Sequence, residues 1–375
     1  MSYRNLLLGT LLVPRLGFLE IPGVNSDLRL DVLILLATSL LPLFKKIPMK
    51  VYVIILGILF ITSLQLIVFQ GNVLRAFFGT GLLISIIVFS QYSNFLSQNA
   101  MLSIMKWFLI INIFLHVSDL FYSVSDVKDF SGRYGIFNQH FAFSSAITIC
   151  YFFLLVNKKA TTFLTIIFLL GILFSGSRGL QAGLIFSFIF YRFFNFKYFF
   201  RTALLILFSY MLYITLNYFF PENPYLVRFN LVIDLAIQST SDIAAILSDP
   251  AFNVRLENFY QYIDFFSYTD FPIFYLIFGG GPYNFLDYSI QYGKPGHFDV
   301  LYLRILSEYG IIGMIILISV LTYFVRKIDN VNYTIMLSAL LIGGIVSEAL
   351  ITAKVAHLFF LTSFYLAAKP NEKSI

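Results

Sequence analysis

Apolar runs of roughly 17–22 residues, separated by short polar turns, recur along the whole chain. Each is long enough to cross a hydrocarbon core of about 30 Å. They predict about twelve membrane-spanning helices, at approximately 4–21, 28–44, 51–69, 73–90, 103–121, 140–156, 160–176, 179–194, 199–219, 298–322, 331–350 and 354–368. The one long interruption, about 220–297, lies between the ninth and tenth spans and opens Pro221-Glu222-Asn223-Pro224. Within it, Tyr225–Leu247 and Asn253–Tyr268 are patterned as helices; the second sets Phe259, Tyr262 and Phe266 at helical spacing among polar residues. Such segments are amphipathic and lie over a membrane surface. A smaller loop, Tyr122–Gln139, precedes the sixth span. With no internal repeat or low-complexity tract, the expectation is an all-α integral membrane protein forming one polytopic domain over 1–375.

Composition agrees. The chain is 59% hydrophobic and 12% charged, with a mean hydropathy of +0.85. A soluble domain carries about 25% charged residues. The first apolar run has no small-residue cleavage site and reads as a retained helix. The lone Cys150 sits inside an apolar run, as packing.

An even number of spans puts both termini on one face. Lys45, Lys46, Lys50, Lys158, Lys159, Lys197, Arg201, Arg326, Lys327, Lys369 and Lys373 fall on that same face, which makes it cytoplasmic. The pI of about 9.1 follows from this placement and points to no nucleic acid. On the outer face the bases are mostly arginine: Arg29, Arg75, Arg133, Arg178, Arg228, Arg255 and Arg304 against Lys128, Lys294 and Lys354. Orientation needs only charge. An arginine excess fits bidentate recognition of phosphate or carboxylate, and equally arginine's better tolerance of interfacial burial.

Four segments carry candidate chemistry, all expected on the outer face. Gly132-Arg133-Tyr134-Gly135-Ile136-Phe137-Asn138-Gln139-His140 closes the smaller loop; taken alone it is a polar turn back into the membrane, with Arg133, Asn138 and His140 at the mouth of a helix. Ser175-Gly176-Ser177-Arg178-Gly179 is so short a connection that Arg178 must lie at or near membrane depth. That is costly unless the side chain faces a cavity or a partner, and the amides opening the next helix favour an anion. Arg255 starts the second amphipathic helix and precedes Phe278-Gly279-Gly280-Gly281-Pro282; the glycines around Gly280 read either as a phosphate cradle or as a plain turn. Finally, Gly296 to Gly313 contains His297, Arg304 and Glu308. On a continuous helix, positions i+7 and i+11 project within about 20° of position i, so the three share a stripe. Arg304 and Glu308, four apart, can pair inside the bilayer. An imidazole above them can take up or release a proton near neutral pH. No Asp-x-Asp pair, paired cysteine or His-x-x-x-His occurs, so no metal site is expected and arginines would have to neutralise any diphosphate.

In order, spacing and expected side, these segments resemble the O-antigen ligase/O-antigen polymerase superfamily over roughly Phe130 to Gly313. The matching pieces are Arg133 to Phe137, Ser177 to Gly179, Arg255 with Gly279 to Gly281, and His297 with Glu308, Gly310 and Gly313. The chain departs at Gln139-His140, where members often carry Pro-Asn. The resemblance implies a helical fold similar to the GT-C class of transferases, in the bacterial inner membrane, with its active site facing the periplasm. It implies undecaprenyl-diphosphate-linked oligosaccharides as substrates, metal-independent chemistry without a cofactor, and a chain-length regulator as a candidate partner. Carried over by position, Arg178 and Arg255 would hold the donor diphosphate, His297 would orient or deprotonate the acceptor hydroxyl, and Arg133 would help bind donor or acceptor. Asn138, His140, Gly280, Arg304 and Glu308 complete the expected substrate-binding set. A polymerase is the leading expectation. A ligase that hands the glycan to lipid A–core is the alternative, and a flippase or other transporter of lipid-linked oligosaccharides is a third reading from a different class.

Overall fold

The structure, a computed structural model, describes residues 3–13, 30–41, 48–69, 73–122, 137, 139–193, 260, 262–264, 270–282, 284, 300–344 and 353–368. These residues are almost entirely helical, and no strand occurs among them. In chain order the helices are α1 Tyr3–Leu12, α2 Leu30–Leu40, α3 Met49–Phe69, α4 Val73–Ser90, α5 Gln98–Tyr122, α6 His140–Val156, α7 Thr162–Phe174, α8 Arg178–Phe193, α9 Pro272–Phe278, α10 Leu301–Ile328, α11 Val331–Gly344 and α12 Ala353–Ala368. All but α9 coincide with an expected span. The expected span at 199–219 and the amphipathic stretch Tyr225–Leu247 lie outside the described residues. Of Asn253–Tyr268, residues 260 and 262–264 are described and are helical.

Four stretches among the described residues are long and apolar enough to cross a membrane: Met49–Phe69, Ala76–Asn94, Gln98–Ser118 and Leu301–Ile328. Helices α6, α7, α11 and α12 are apolar but shorter. The surface of α3 identifies the solvent. Val53, Leu56, Phe60 and Ile67 are 59–76% exposed, while the buried positions include Thr62 and Gln65. In water this arrangement would strand a large apolar surface. In hydrocarbon it is the stable one, because side chains as apolar as lipid face outward and polar groups turn inward to find partners.

The interior is built around α6 and α12. Every residue from Ala142 to Leu154 is buried, and α6 packs on α5, α7, α8, α11 and α12. Phe143, Phe152, Phe153, Phe324 and Phe359 fill the centre. Three hydroxyls buried with them fold back on their own helices: Ser144 donates to His140 O at 2.6 Å, Thr148 to Ser144 O at 2.7 Å and Thr362 to Leu358 O at 2.9 Å. Such back-bonding satisfies these three donors inside an apolar core. Helices α8 and α11 approach more closely through small residues. A Cβ on Gly183 would stand 2.6 Å from the Ala339 carbonyl oxygen, the kind of contact that drives helix association when lipid offers no hydrophobic gain.

Candidate functional site

Helix α10 is not one rod. Gly310 has φ 62° and ψ −162°, so the helix breaks after Tyr309 and restarts at Ile311. A break at membrane depth orphans the carbonyls of the preceding turn, each costing several kcal/mol in hydrocarbon. The glycine turn after α9 supplies their partners. Gly279, with φ 74°, ends α9. The Gly280 amide then donates to Ser307 O at 2.8 Å and the Gly281 amide to Glu308 O at 3.0 Å. From α3, Gln65 Nε2 donates to Phe278 O at 2.6 Å and to Glu308 O at 3.0 Å. Tyr275 Oη and Ser307 Oγ lie 2.8 Å apart. The amides of Gly280 and Gly281 are thus turned onto helix carbonyls.

Backbone contact this tight tolerates little bulk. A Cβ on Gly310 would run into the Ile277 carbonyl, at a φ that side chains rarely adopt. Gly310→Ala is expected to cost about 1–3 kcal/mol, read as a lower melting temperature of the detergent-solubilised chain. An unchanged melting temperature would mean that the break does not depend on this glycine.

One turn before the break, Arg304 Nε donates to Glu308 Oε1 at 3.0 Å. Both side chains are mostly buried, 17% and 10% exposed. The four-residue spacing therefore pairs them as the helical period predicts. The projection does not reach His297. Helix α10 begins at Leu301, after Val300 in an extended conformation (φ −99°, ψ 117°), so the helical stripe stops short of the histidine. His297 itself lies outside the described residues, as do Arg133, Asn138 and Arg255.

The turn at Ser175–Arg178 is a second compact cap. Gly176 takes φ 64° and α8 starts at Arg178. Side chains claim carbonyls in the last turn of α7. Ser175 Oγ donates to Ile172 O at 2.7 Å, Gln181 Nε2 to the same oxygen at 2.8 Å, and His116 Nε2 to Phe174 O at 3.0 Å. Arg178 is half-exposed above this cap.

These pieces meet at one end of the bundle. The His116 ring stands 4.6 Å from Phe143, one turn from His140 at the start of α6, so His140 and the Arg178 turn share a neighbourhood. Leu180, two residues after Arg178, covers Gly343. The next glycine, Gly344, faces Leu301 at the start of α10, and Tyr302 Oη donates to Leu341 O at 2.7 Å. The C-terminal end of α11 thereby joins the Arg178 turn to the first turn of α10, which carries Arg304. At this same end α3 reaches α10 through Gln65, and Lys354 at the start of α12 donates to Val13 O at 2.5 Å. Chain direction puts Lys50, Lys158, Lys159, Arg326 and Lys327 at the opposite end. The bundle is therefore polarised, with candidate chemistry at one end and lysine-rich turns at the other.

Sequence reasoning missed Gln65, His116, Tyr275, Ser307 and Asn284. Each lies in or beside an apolar run, and no local spacing joins Gln65, His116, Tyr275 or Ser307 to the partner it meets far along the chain. Among the described residues, no three of His, Cys, Asp and Glu converge as metal ligands would. No known family model matches the chain, and no curated protein is significantly similar to it.

Proposed function

We propose that this chain is a polysaccharide polymerase of the O-antigen type, working at the periplasmic face of the bacterial inner membrane. In this reading about twelve spans form a GT-C-like bundle with both termini in the cytoplasm. The observation that carries it is the meeting of the Arg178 turn with the Arg304-bearing start of α10 around Gly343 and Gly344, at the end opposite Lys158, Lys159, Arg326 and Lys327. The positive-inside rule assigns the lysine-rich end to the cytoplasm, so the arginine-bearing end faces out.

The reaction joins two lipid-linked glycans. A hydroxyl of a single repeat unit attacks C1 of the sugar that links the growing chain to undecaprenyl diphosphate. The C1–O bond breaks, its electron pair leaves on the diphosphate, and the anomeric centre inverts. Charge builds on the departing diphosphate, and fixed guanidinium groups in a water-poor site stabilise it most where it develops. Arg178 and Arg255 take this role. His297 accepts the hydroxyl proton. Arg133, Asn138 and His140 bind sugar or phosphate near the start of α6. Gly280 serves the site indirectly, by capping the broken helix that carries Arg304 and Glu308.

Deleting the gene in its native host tests the reading. The expected result is surface lipopolysaccharide bearing one repeat unit and no ladder of longer chains. Lipopolysaccharide with no repeat unit would move the assignment to a ligase. An unchanged ladder would remove the chain from polysaccharide assembly.

A further inference from the structure

In an unbroken helix each turn is aimed by the turns on either side of it. At Gly310 that continuity is lost, so the direction of Leu301–Tyr309 depends on what holds the segment from outside. It is held at two places. Near its start the ties run to α11: Tyr302 Oη donates to Leu341 O at 2.7 Å, and Leu301 covers Gly344. Near its end they run to α9 and α3. Tyr275 Oη and Ser307 Oγ lie 2.8 Å apart, the Gly281 amide donates to Glu308 O at 3.0 Å, and Gln65 Nε2 donates to that same oxygen at 3.0 Å and to Phe278 O at 2.6 Å. A side-chain amide nitrogen carries two hydrogens, and Gln65 has an acceptor for each on two different segments. The buried positions of α3 are Val51, at its far end, Thr62 and Gln65. Phe69, one turn after Gln65, extends the contact against the rings of Phe274 and Tyr275, each at 5.8 Å.

We infer that Gln65 is a positioning residue for glycan transfer: by holding the Glu308 carbonyl from α3, it sets where the segment bearing Arg304 and Glu308 stands against the Arg178 turn. This role rests on the polymerase reading and adds to it a residue of a largely lipid-facing helix. Gln65 is 1% exposed, so it meets no substrate itself and acts through the α10 segment. Capping alone does not account for its bond to Glu308 O. The Gly281 amide already satisfies that oxygen, and a second donor on the other lone pair fixes the direction of the peptide. Leverage does the rest. Glu308 stands six residues after Tyr302, about 9 Å along a helix, so a shift at the Gln65 tie tilts the segment about its tie to α11. Arg304 lies between the two and moves with it. The carbonyl that Gln65 holds also belongs to the residue whose carboxylate pairs with Arg304. Groups that bind a reacting substrate tolerate little displacement, and a misplacement of about 1 Å costs up to roughly 100-fold in rate.

The test uses the full chain in lipid nanodiscs, supplied with the lipid-linked single repeat unit extracted from the native host's deletion strain. Formation of the two-unit product is the readout, taken at a temperature where every variant is folded. Gln65→Met keeps the length of the side chain and removes the amide. It is expected to lower kcat/KM roughly 10- to 100-fold. Ser85→Ala is the control, because it breaks another buried tie, from α4 to His357 on α12, that involves neither α9 nor α10. It should lower the melting temperature and keep wild-type kcat/KM. If Gln65→Met transfers at the wild-type rate, or if Ser85→Ala loses as much transfer as Gln65→Met, Gln65 adds stability only and the inference falls while the polymerase reading stands. Should Gln65→Met fail to fold, Tyr275→Phe removes the neighbouring tie at Ser307 and is read against the same two outcomes. Wild type that makes no two-unit product would overturn the polymerase reading itself.

Discussion

Arg178→Ala is expected to abolish polymer while the protein remains in the membrane at wild-type amount. The turn that carries the residue is held by bonds from other side chains: Ser175, Gln181 and His116 cap the end of α7, and Leu180 seats α8 against Gly343. None of these bonds runs through the guanidinium, so its removal takes away charge and leaves the three of them in place. If that charge meets the leaving diphosphate, its loss costs on the order of 100-fold or more in rate. Chain growth needs many successive transfers, so the visible ladder should collapse to one repeat unit. Arg178→Lys is the sharper variant. It keeps the charge and gives up the planar fork that binds two oxygens at once, and it should restore little polymer. A wild-type distribution of chain lengths in Arg178→Ala would end the donor-site assignment. Full activity in Arg178→Lys would show that charge alone suffices there.

The apolar runs made most of the fold legible, because hydrocarbon accepts little besides helices whose backbone groups are satisfied internally. Run length and spacing then placed α1 to α8 and α10 to α12 in order. The Arg304–Glu308 pair was equally legible, since helical period links residues four apart. The break at Gly310 was not. A glycine inside an apolar run is common in membrane helices, and Glu308, Gly310 and Gly313 read as one uninterrupted helix until the turn at Gly279–Gly281 is seen against it. That contact is long-range, and so is Gln65, whose acceptors lie more than two hundred residues away at Phe278 and Glu308. Pattern reading sees the helix a residue belongs to and is blind to the helix it touches. The same blindness extended the stripe to His297, because periodicity cannot register the extended Val300 that ends it.

Within the bundle, the residues that break the apolar rule are also the ones that join distant segments. Gln65 ties α3 to the broken helix, His116 ties α5 to α7, and Ser85 Oγ lies 2.9 Å from His357 Nε2, linking α4 to α12. In a solvent with no hydrophobic drive between helices, a polar side chain that finds a carbonyl on a neighbour supplies direction as well as energy. The candidate site lies where two such ties, at Gln65 and His116, flank the ends of α3, α7, α8 and α10.

Arg304→Ala and Glu308→Ala should each destabilise the chain more than the two changes made together. Singly, each breaks one ion pair between mostly buried groups, and such truncations cost about 3–5 kcal/mol. The paired replacement Arg304→Met with Glu308→Leu removes both charges and keeps the volume, so much of that loss should return. A double-mutant cycle on melting temperature in detergent isolates the coupling, and additive losses would mean that the pair is not a unit. Polymer formation then separates structure from chemistry. The backbone carbonyl of Glu308, which holds Gln65 and the Gly281 amide, survives every one of these substitutions, so the helix break should persist. If the ion pair only braces α10, the apolar pair restores polymer along with stability. If Arg304 or Glu308 contacts the lipid-linked glycan, stability returns and polymer does not, and a pair that looks structural in isolation belongs to the substrate surface.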